Sequence, residues 1–181
     1  MKATGIVRRI DDLGRVVVPK EIRRTLRIRE GDPLEIFTDR QGEIILKKYS
    51  PIGELSQFAG QYAESLAYTT GNLVCITDRD HVVAAAGNGR REFDGKPISK
   101  QMEHIIENRE ERVASKEEDG FVKVTLDDAG EFYSQAIATI ICEGDAIGAV
   151  VLYDKGEKKM GETERKLAMT AAGFLGRQLE Q

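Results

Sequence analysis

The fifty N-terminal residues carry a pattern that cannot build a complete core by itself. In order along the chain they read as strand, strand, helix, strand and strand, at 4–10, 15–19, 20–28, 33–39 and 42–49. Fifty residues bury too little apolar surface to fold alone without a disulfide or a metal, and this stretch has no cysteine. We therefore expect an intertwined dimer. The candidate core residues are Ile22, Leu26, Ile28, Leu34, Ile36, Ile44 and Leu46.

Charge is distributed unevenly along the chain. The net charge of the whole chain is −4, which by itself argues against a polyanionic partner. Residues 1–50 nevertheless hold twelve Lys and Arg against eight Asp and Glu, a net charge of +4, which leaves −8 for residues 51–181. A polyanion is attracted to the first part and repelled by the second. Solvated surface or salt bridges between subunits are the alternative explanation for these arginines.

The Ser50-Pro51 step predicts a boundary, with Ser50 as the N-cap of a linker helix over 51–70. This helix has one apolar stripe, which packs either against a partner helix or on its own domain. From residue 71 to 181 the pattern is α+β. Five strands are predicted at 72–78, 81–87, 121–126, 131–142 and 146–154, and helices at 98–109, capped by Ser99, and at 160–181.

The run TGIVRRIDDLGRVVVPKEIRRTLRIREGDPLEIF, followed by GEIILKKY, resembles the AbrB-type swapped-hairpin DNA-binding domains. The segments DAIGAVVLYDK and AAGFLGRQLEQ resemble the end of a GAF domain. The resemblance implies an α+β chain with three parts: a swapped-hairpin domain (1–50) built by two chains, a linker helix (51–70) and a GAF-like domain (71–181) with a five-stranded antiparallel sheet. It also implies that two such dimers form a homotetramer through their C-terminal domains.

The same resemblance implies a transcription regulator of the sporulation type, an activator at some promoters and a repressor at others. Its partner is double-stranded promoter DNA, with shape readout more important than a strict base code. A guanidinium grips phosphate, or the O6 and N7 of guanine, with two hydrogen bonds. The positions that match the family's DNA-contacting arginines are Arg8, Arg15, Arg23 and Arg24, with Arg9 at a position that the family also keeps basic.

A GAF-like domain implies a small-molecule effector, but the sequence names none. The strand around Cys75 and Ile76, the loop 87–91 and the segment from Phe121 are candidate pocket walls, and each is equally explained as core or loop. GNGRRE lacks the third glycine of a dinucleotide fingerprint. We expect no cofactor.

The sequence contains no motif that is typical of an enzyme or of a metal site. His81 and His104 lack an HExxH pattern or a cysteine at metal-ligand spacing, and there is no P-loop and no GxSxG elbow. Cys75 and Cys142 are expected to be buried free thiols. No apolar run approaches the ~20 residues that span a membrane, and no signal peptide is evident, so we expect a cytoplasmic protein.

Two other functions compete with a transcription regulator. Many swapped-hairpin domains belong to antitoxins, whose tails are usually short and disordered, whereas residues 51–181 carry five strand patterns and a long final helix. The chain could instead be a small-molecule binding protein whose N-terminal module only oligomerises. Mass determination in solution together with DNA binding by residues 1–50 separates these functions, and a folded dimer that does not bind DNA would favour the last of them.

Overall fold

The computed structural model describes residues 5–128, 131–156 and 159–180. The chain divides into two compact units, Met1–Tyr49 and Ser50–Gln181. The first contains helix α1 (Lys20–Thr25) and strands β1 (Leu34–Thr38) and β2 (Ile44–Lys48). The second contains helices α2 (Pro51–Glu54), α3 (Ser56–Thr70), α4 (Lys100–Glu107) and α5 (Glu162–Gln178), and strands β3 (Leu73–Thr77), β4 (Val82–Ala86), β5 (Glu111–Ser115), β6 (Ser134–Cys142) and β7 (Asp145–Asp154).

Strands β1 and β2 form the predicted antiparallel hairpin. Ile36 lies opposite Leu46 on one face, and Phe37 lies opposite Ile45 on the other. All four side chains are at least 39% exposed. A two-stranded ribbon with apolar side chains on both faces needs cover on both faces, and in the single chain both remain open.

The two strands predicted at 4–10 and 15–19 are not formed in the single chain. Thr4 lies outside the described residues, and 5–10 and 15–19 have no strand structure. The turn between them is formed, since the N–H of Asp11 donates to the carbonyl of Arg15 at 3.0 Å. A strand needs a hydrogen-bonded neighbour along its length, and the single chain supplies none beyond this turn.

The expected core of the first unit is also largely exposed, which corrects the sequence prediction for one chain. Leu26 is 56% exposed, Ile36 66% and Ile44 67%. Ile22, Ile28 and Leu34 are half-buried. Most of the exposed large hydrophobic side chains in the described residues lie in this unit. The physical reason is size, because so short a segment has too little surface to cover its own apolar groups.

The second unit is built on a five-stranded antiparallel sheet in the order β4-β3-β7-β6-β5. Helices α3 and α5 cover one face of the sheet, with buried Ala59, Ala63 and Ala67 of α3 facing it. Helix α4 and the segment 121–128 contribute buried residues to the opposite face. The helix predicted as a linker thus docks on the sheet of its own unit.

The number of strands is as predicted, but the third strand is not at 121–126. It is Glu111–Ser115, which pairs with β6 at the edge of the sheet. The alternation of 121–126 instead reflects burial of Val122 and Val124 against the sheet, with one isolated bridge from Thr125 to Ile98. One-sided burial gives the same period-two pattern as a strand, whereas the polar β5 gives a weak pattern because it lies at an edge.

Two predicted helix caps are confirmed. The hydroxyl of Ser50 accepts a hydrogen bond from the N–H of Gly53 at 3.0 Å, and that of Ser99 accepts one from Met102 at 3.1 Å. The helix predicted over 51–70 is interrupted at Leu55. The final helix begins at Glu162 rather than 160, because the carboxylate of Glu164 accepts the N–H of Gly161 and ends the preceding loop there. Gln181 lies outside the described residues.

Candidate nucleic-acid interface

The turn at residues 11–15 is organised by the side chain of Asp11. Its Oδ1 accepts hydrogen bonds from the N–H of Leu13 at 3.0 Å and of Arg15 at 2.8 Å. The N–H of Gly14 donates to the Asp11 carbonyl at 3.0 Å, and Gly14 adopts a left-handed conformation with φ of +77°. The turn is therefore fixed by local hydrogen bonds.

Arg15 is held by the same carboxylate. Its Nε donates to Oδ2 of Asp11 at 2.8 Å, while 70% of the arginine side chain remains exposed. Hydrogen bonds from the backbone and then the guanidinium of Arg15 lower the pKa of the Asp11 carboxyl. The aspartate is thus ionised at neutral pH. In the sequence, Asp11 stands between the first two predicted strands, four positions before Arg15, which matches a DNA-contacting position of the family.

Arg8 and Arg9 lie on the extended segment before this turn, and both are exposed. The Nη1 of Arg8 donates to the adjacent carbonyl of Val7 at 3.4 Å, a weak local contact. Neither guanidinium is buried in the single chain. Both are therefore accessible to a polyanion.

Arg23 and Arg24 lie in the last turn of α1 and are exposed, while Ile22 of the same helix is half-buried. The helix begins after the buried Pro19, whose carbonyl accepts the N–H of Arg23 at 3.0 Å. Ile22 therefore lies inward as predicted, whereas Leu26, also a predicted core residue, is 56% exposed. The arginine pair is carried on the polar side of a short helix.

The end of α1 is tied to the base of the hairpin. The Nζ of Lys48 donates to the carbonyl of Arg27 at 2.8 Å and lies 3.3 Å from Oδ2 of Asp32. The same Oδ2 accepts the N–H of Arg29 at 2.8 Å. These contacts hold the segment that follows α1 at the base of the hairpin.

Two of the three predicted walls of a ligand pocket, the strand around Cys75 and the segment from Phe121, belong to the core of the second unit. Cys75 and Ile76 belong to opposite faces of the sheet. On the Cys75 face the ring centroids of Phe132 and Tyr153 stack 4.5 Å apart, and Phe93 meets Phe132 edge-on at 5.7 Å. Burial raises the pKa of the Cys75 thiol. These side chains pack against one another in the core of this face.

Tyr153 of β7 holds the segment 121–128, which covers this face of the sheet. Its hydroxyl accepts the N–H of Val124 at 3.2 Å and lies 3.1 Å from the carbonyl of Val122 and 3.0 Å from Oδ2 of Asp128. Burial, and then the nearby Asp128 carboxylate, raises the pKa of Tyr153. The segment from Phe121 is therefore a fixed cover of the core.

An open groove lies elsewhere on the second unit, between α3, β4 and a short 3-10 turn at Arg90–Glu92. Its volume is about 370 Å³. The Nη1 of Arg90 lies 3.8 Å from Oε1 of Glu64 across it. The predicted loop 87–91 thus contributes two arginines to a polar groove, which is lined by Ser56, Gly60, Glu64, Val83, Ala84, Ala85, Arg90, Arg91 and Asp94.

The histidines and cysteines do not converge. His81 and His104 are exposed, Cys75 is buried and Cys142 is half-buried, so the expectation of two buried thiols holds only for Cys75. Within residues 5–128, 131–156 and 159–180, no group of His, Cys, Asp and Glu has the arrangement of a metal site. None of the helices in these ranges is both long and apolar enough to cross a membrane.

Comparison with known proteins gives a decisive match. The family model described as the stage V sporulation protein T C-terminal, transcription factor, matches residues 54–180. Stage V sporulation protein T of Bacillus subtilis (strain 168) is 52% identical over 181 residues, which is 100% of both chains. The chain belongs to the stage V sporulation protein T family. It is therefore a member of a family of sporulation transcription regulators.

The N-terminal unit of this family member matches a second set of proteins. Residues 7–54 match the model for antidote-toxin recognition MazE, bacterial antitoxin. The transition state regulatory protein AbrB of Bacillus subtilis (strain 168) is 52% identical over 75 residues, 41% of this chain and 76% of AbrB. The antitoxin match stops where the sporulation-protein match begins, so it supports the type of DNA-binding domain and not an antitoxin function for the second unit.

The second unit has the fold of a GAF domain, as expected. The PixJ GAF domain of Thermosynechococcus elongatus in its blue-light absorbing form superposes with a TM-score of 0.55 at 12% identity, covering 74% of this chain and 89% of that one. At this identity the likeness establishes the fold alone. The chain thus joins an AbrB-like domain to a GAF-like domain.

Proposed function

We propose that this member of the stage V sporulation protein T family binds double-stranded promoter DNA through five arginines of its N-terminal unit, as an activator at some promoters and a repressor at others. The observation that carries the proposal is that all five are exposed on the unit with the net positive charge. Because its partner is chromosomal DNA, it acts in the cytoplasm. The five residues are Arg8, Arg9, Arg15, Arg23 and Arg24.

The chemistry of these residues suits both parts of DNA recognition. Contacts from a guanidinium to phosphates position the protein, and two-pronged contacts to guanine edges add sequence information. The acidic second unit is repelled by DNA, which leaves the first unit as the contact surface. This division of charge supports the assignment of residues 1–50 to DNA binding. We assign residues 51–70 to the connection and residues 71–181, on whose sheet that helix docks, to sensing and assembly.

Replacing Arg8 or Arg23 with alanine is expected to weaken DNA binding by ~1–3 kcal/mol and to lower the slope of log affinity against log salt by about one. Each change removes a charged contact without removing a core group, so the unfolding temperature should stay unchanged. Titrations in gel-shift assays at several salt concentrations measure both effects.

Arg40 provides the matched control for these variants. It lies in the turn between β1 and β2, is exposed, and occupies no position that matches the family's DNA-contacting arginines. Arg40→Ala should weaken binding only through the loss of one distant charge. Equal losses for Arg8, Arg23 and Arg40 would mean that the unit attracts DNA through net charge alone, and the site assignment would be wrong.

The proposal includes a dimer of swapped hairpins. The segments 5–10 and 15–19 have no ladder partner in one chain, and both faces of the β1–β2 ribbon expose apolar side chains. A second chain would supply both the missing strands and the missing cover. Sharing one core between two chains is the usual remedy for a segment of this size.

Association of two such dimers through the second units is supported by an aromatic cluster on α3 and α5. The ring of Phe174 lies 5.4 Å from Tyr62 and 5.8 Å from Phe58, and Phe174 is 39% exposed. Aromatic side chains with this exposure are enriched at interfaces between subunits. We infer that this face carries the tetramer contact.

We also propose that the second unit binds a small-molecule effector. The open polar groove is a better candidate for its binding site than the aromatic face of the sheet is. Ligand entry on the Cys75 face requires displacement of the segment anchored by Tyr153, whereas Arg90, Arg91 and Asp94 already face open space in the groove. Charged groups of both signs favour a small polar ligand that carries both.

Native mass spectrometry of the purified full-length chain tests assembly and effector together. We expect a tetramer, with bound small molecules visible as a mass increment. The variant Phe174→Ser should give dimers that still bind DNA, while Tyr133→Ser, which changes an aromatic residue of the loop before β6, serves as the control. A monomer in the unmodified chain would contradict both levels of assembly.

A further inference from the structure

The first unit contains the same five-residue turn twice, at residues 11–15 and 39–43. Each turn begins with aspartate and has glycine in fourth place. In each, Oδ1 of the aspartate accepts the N–H of the third and fifth residues at 2.8–3.0 Å. The backbone of the first residue donates to the carbonyl of the fifth in both, and both glycines are left-handed, with φ of +77° and +84°.

The two turns differ in their fifth residue. In the first turn this residue is Arg15, whose Nε donates to the remaining oxygen of Asp11 at 2.8 Å. In the second it is Glu43, which has the same charge as Asp39 and cannot form such a contact. The second turn therefore shows that the backbone geometry does not need the arginine. The ion pair of the first turn is an addition to a turn that is already stable.

The geometry of the ion pair leaves the DNA-binding end of Arg15 available. Asp11 engages Nε, and within the described residues no hydrogen bond involves the two terminal Nη nitrogens. These are the atoms that grip a phosphate or a guanine edge in the two-pronged contact. An arginine side chain that is free to rotate loses conformational entropy when it binds DNA. Because Asp11 already restricts the rotamers of Arg15, the entropy lost on binding is smaller.

Asp11 places a negative charge beside an arginine that is proposed to bind DNA. A carboxylate beside DNA phosphates repels them, so the charge alone weakens binding to any DNA. An aspartate that only capped a turn could be asparagine, which has the same acceptor and no charge. We propose that Asp11 is a positioning residue that orients Arg15 and thereby contributes to the choice of DNA sequence at the expense of general affinity.

This inference rests on the proposed role of Arg15 in DNA binding, and the variants Asp11→Asn and Asp39→Asn test it in the full-length chain. Both keep the turn acceptor, and both remove one negative charge from the same unit. Only Asp11→Asn places an amide N–H opposite the Nε–H of Arg15. Two hydrogen-bond donors then face each other where a donor faced an acceptor. Asp39→Asn is therefore matched in everything but the arginine contact.

The measurement is affinity for two duplexes of equal length, one selected by the unmodified protein from a random pool and one of random sequence. We expect Asp11→Asn to weaken binding of the selected duplex about threefold to tenfold and to leave binding of the random duplex equal or tighter. Asp39→Asn should change both affinities alike. If Asp11→Asn strengthens both duplexes as Asp39→Asn does, Asp11 acts by charge alone and the inference is wrong.

A variant cycle with Arg15→Ala separates the inference from the proposed function. In the Arg15→Ala background, Asp11→Asn should no longer reduce the preference for the selected duplex. A loss of preference that persists there, or an equal loss for both duplexes with a lower unfolding temperature, would assign Asp11 a role in folding only. If Arg15→Ala itself changes neither affinity, the proposed role of Arg15 fails, and the role of Asp11 fails with it.

Discussion

Replacing Ile36 with asparagine is expected to abolish DNA binding at protein concentrations where the unmodified chain shifts all the DNA. In the single chain Ile36 is 66% exposed, so the change costs a monomer little. In a shared core the side chain is buried once in each subunit, and its loss costs about 2 kcal/mol per subunit before the unpaired amide is counted. Gel shift and native mass spectrometry report the loss of binding and of tetramers.

Leu126→Asn is the control for this variant. Leu126 is 54% exposed and lies in the second unit, so the same apolar-to-polar change is made on a comparable surface outside the proposed shared core. We expect it to leave assembly and DNA binding unchanged. Full DNA binding by Ile36→Asn would mean that the hairpin face stays open in solution, and the swapped dimer would have to be abandoned.

The second large effect is expected for Gly176→Ala. A methyl group at this buried position of α5 would overlap the carbonyl oxygen of Ile141, where β6 pairs irregularly with β7. The obstructing group is the backbone of Ile141, so helix and strand must separate, at a cost of about 3 kcal/mol in the free energy of unfolding. Chemical denaturation followed by circular dichroism measures this cost.

Gly173→Ala, one turn earlier in the same helix, should have the opposite sign. An added methyl group there would meet only the Nη2 of Arg177, at 3.8 Å. Alanine exceeds glycine in helix propensity, so this variant should be more stable by about 0.5–1 kcal/mol. Destabilisation of similar size at both positions would show that an added methyl group is unfavourable along this end of α5 in general, and the close approach to Ile141 would not be the cause.

An alternating pattern of apolar residues has two different causes in the second unit. The alternation of apolar and polar residues in FVKVTL predicts a strand. In the structure this segment is irregular, and Val122 and Val124 are apolar because that side of it packs on the sheet. The true third strand, Glu111–Ser115, is rich in charge because it lies at the edge. No local rule distinguishes these cases, since the difference lies in which segment hydrogen-bonds to β6.

The DNA site was more accessible to sequence reasoning than the ligand site. The five arginines could be named because the run around them resembles a known domain, and exposure of a guanidinium follows from its hydration. The filled aromatic face could not be foreseen, because Phe93, Phe132 and Tyr153 are far apart in sequence and only the sheet brings their rings together. The groove at Arg90 likewise depends on how α3 lies beside β4.

The sequence by itself determined the hairpin at 34–48, the caps at Ser50 and Ser99, the basic character of the first unit and its inability to close its own core. These depend on interactions between near neighbours or on charge and size. Only the tertiary structure decided the docking of α3, the position of the third strand and the closure of the aromatic face. These depend on directed contacts, which composition and periodicity do not contain.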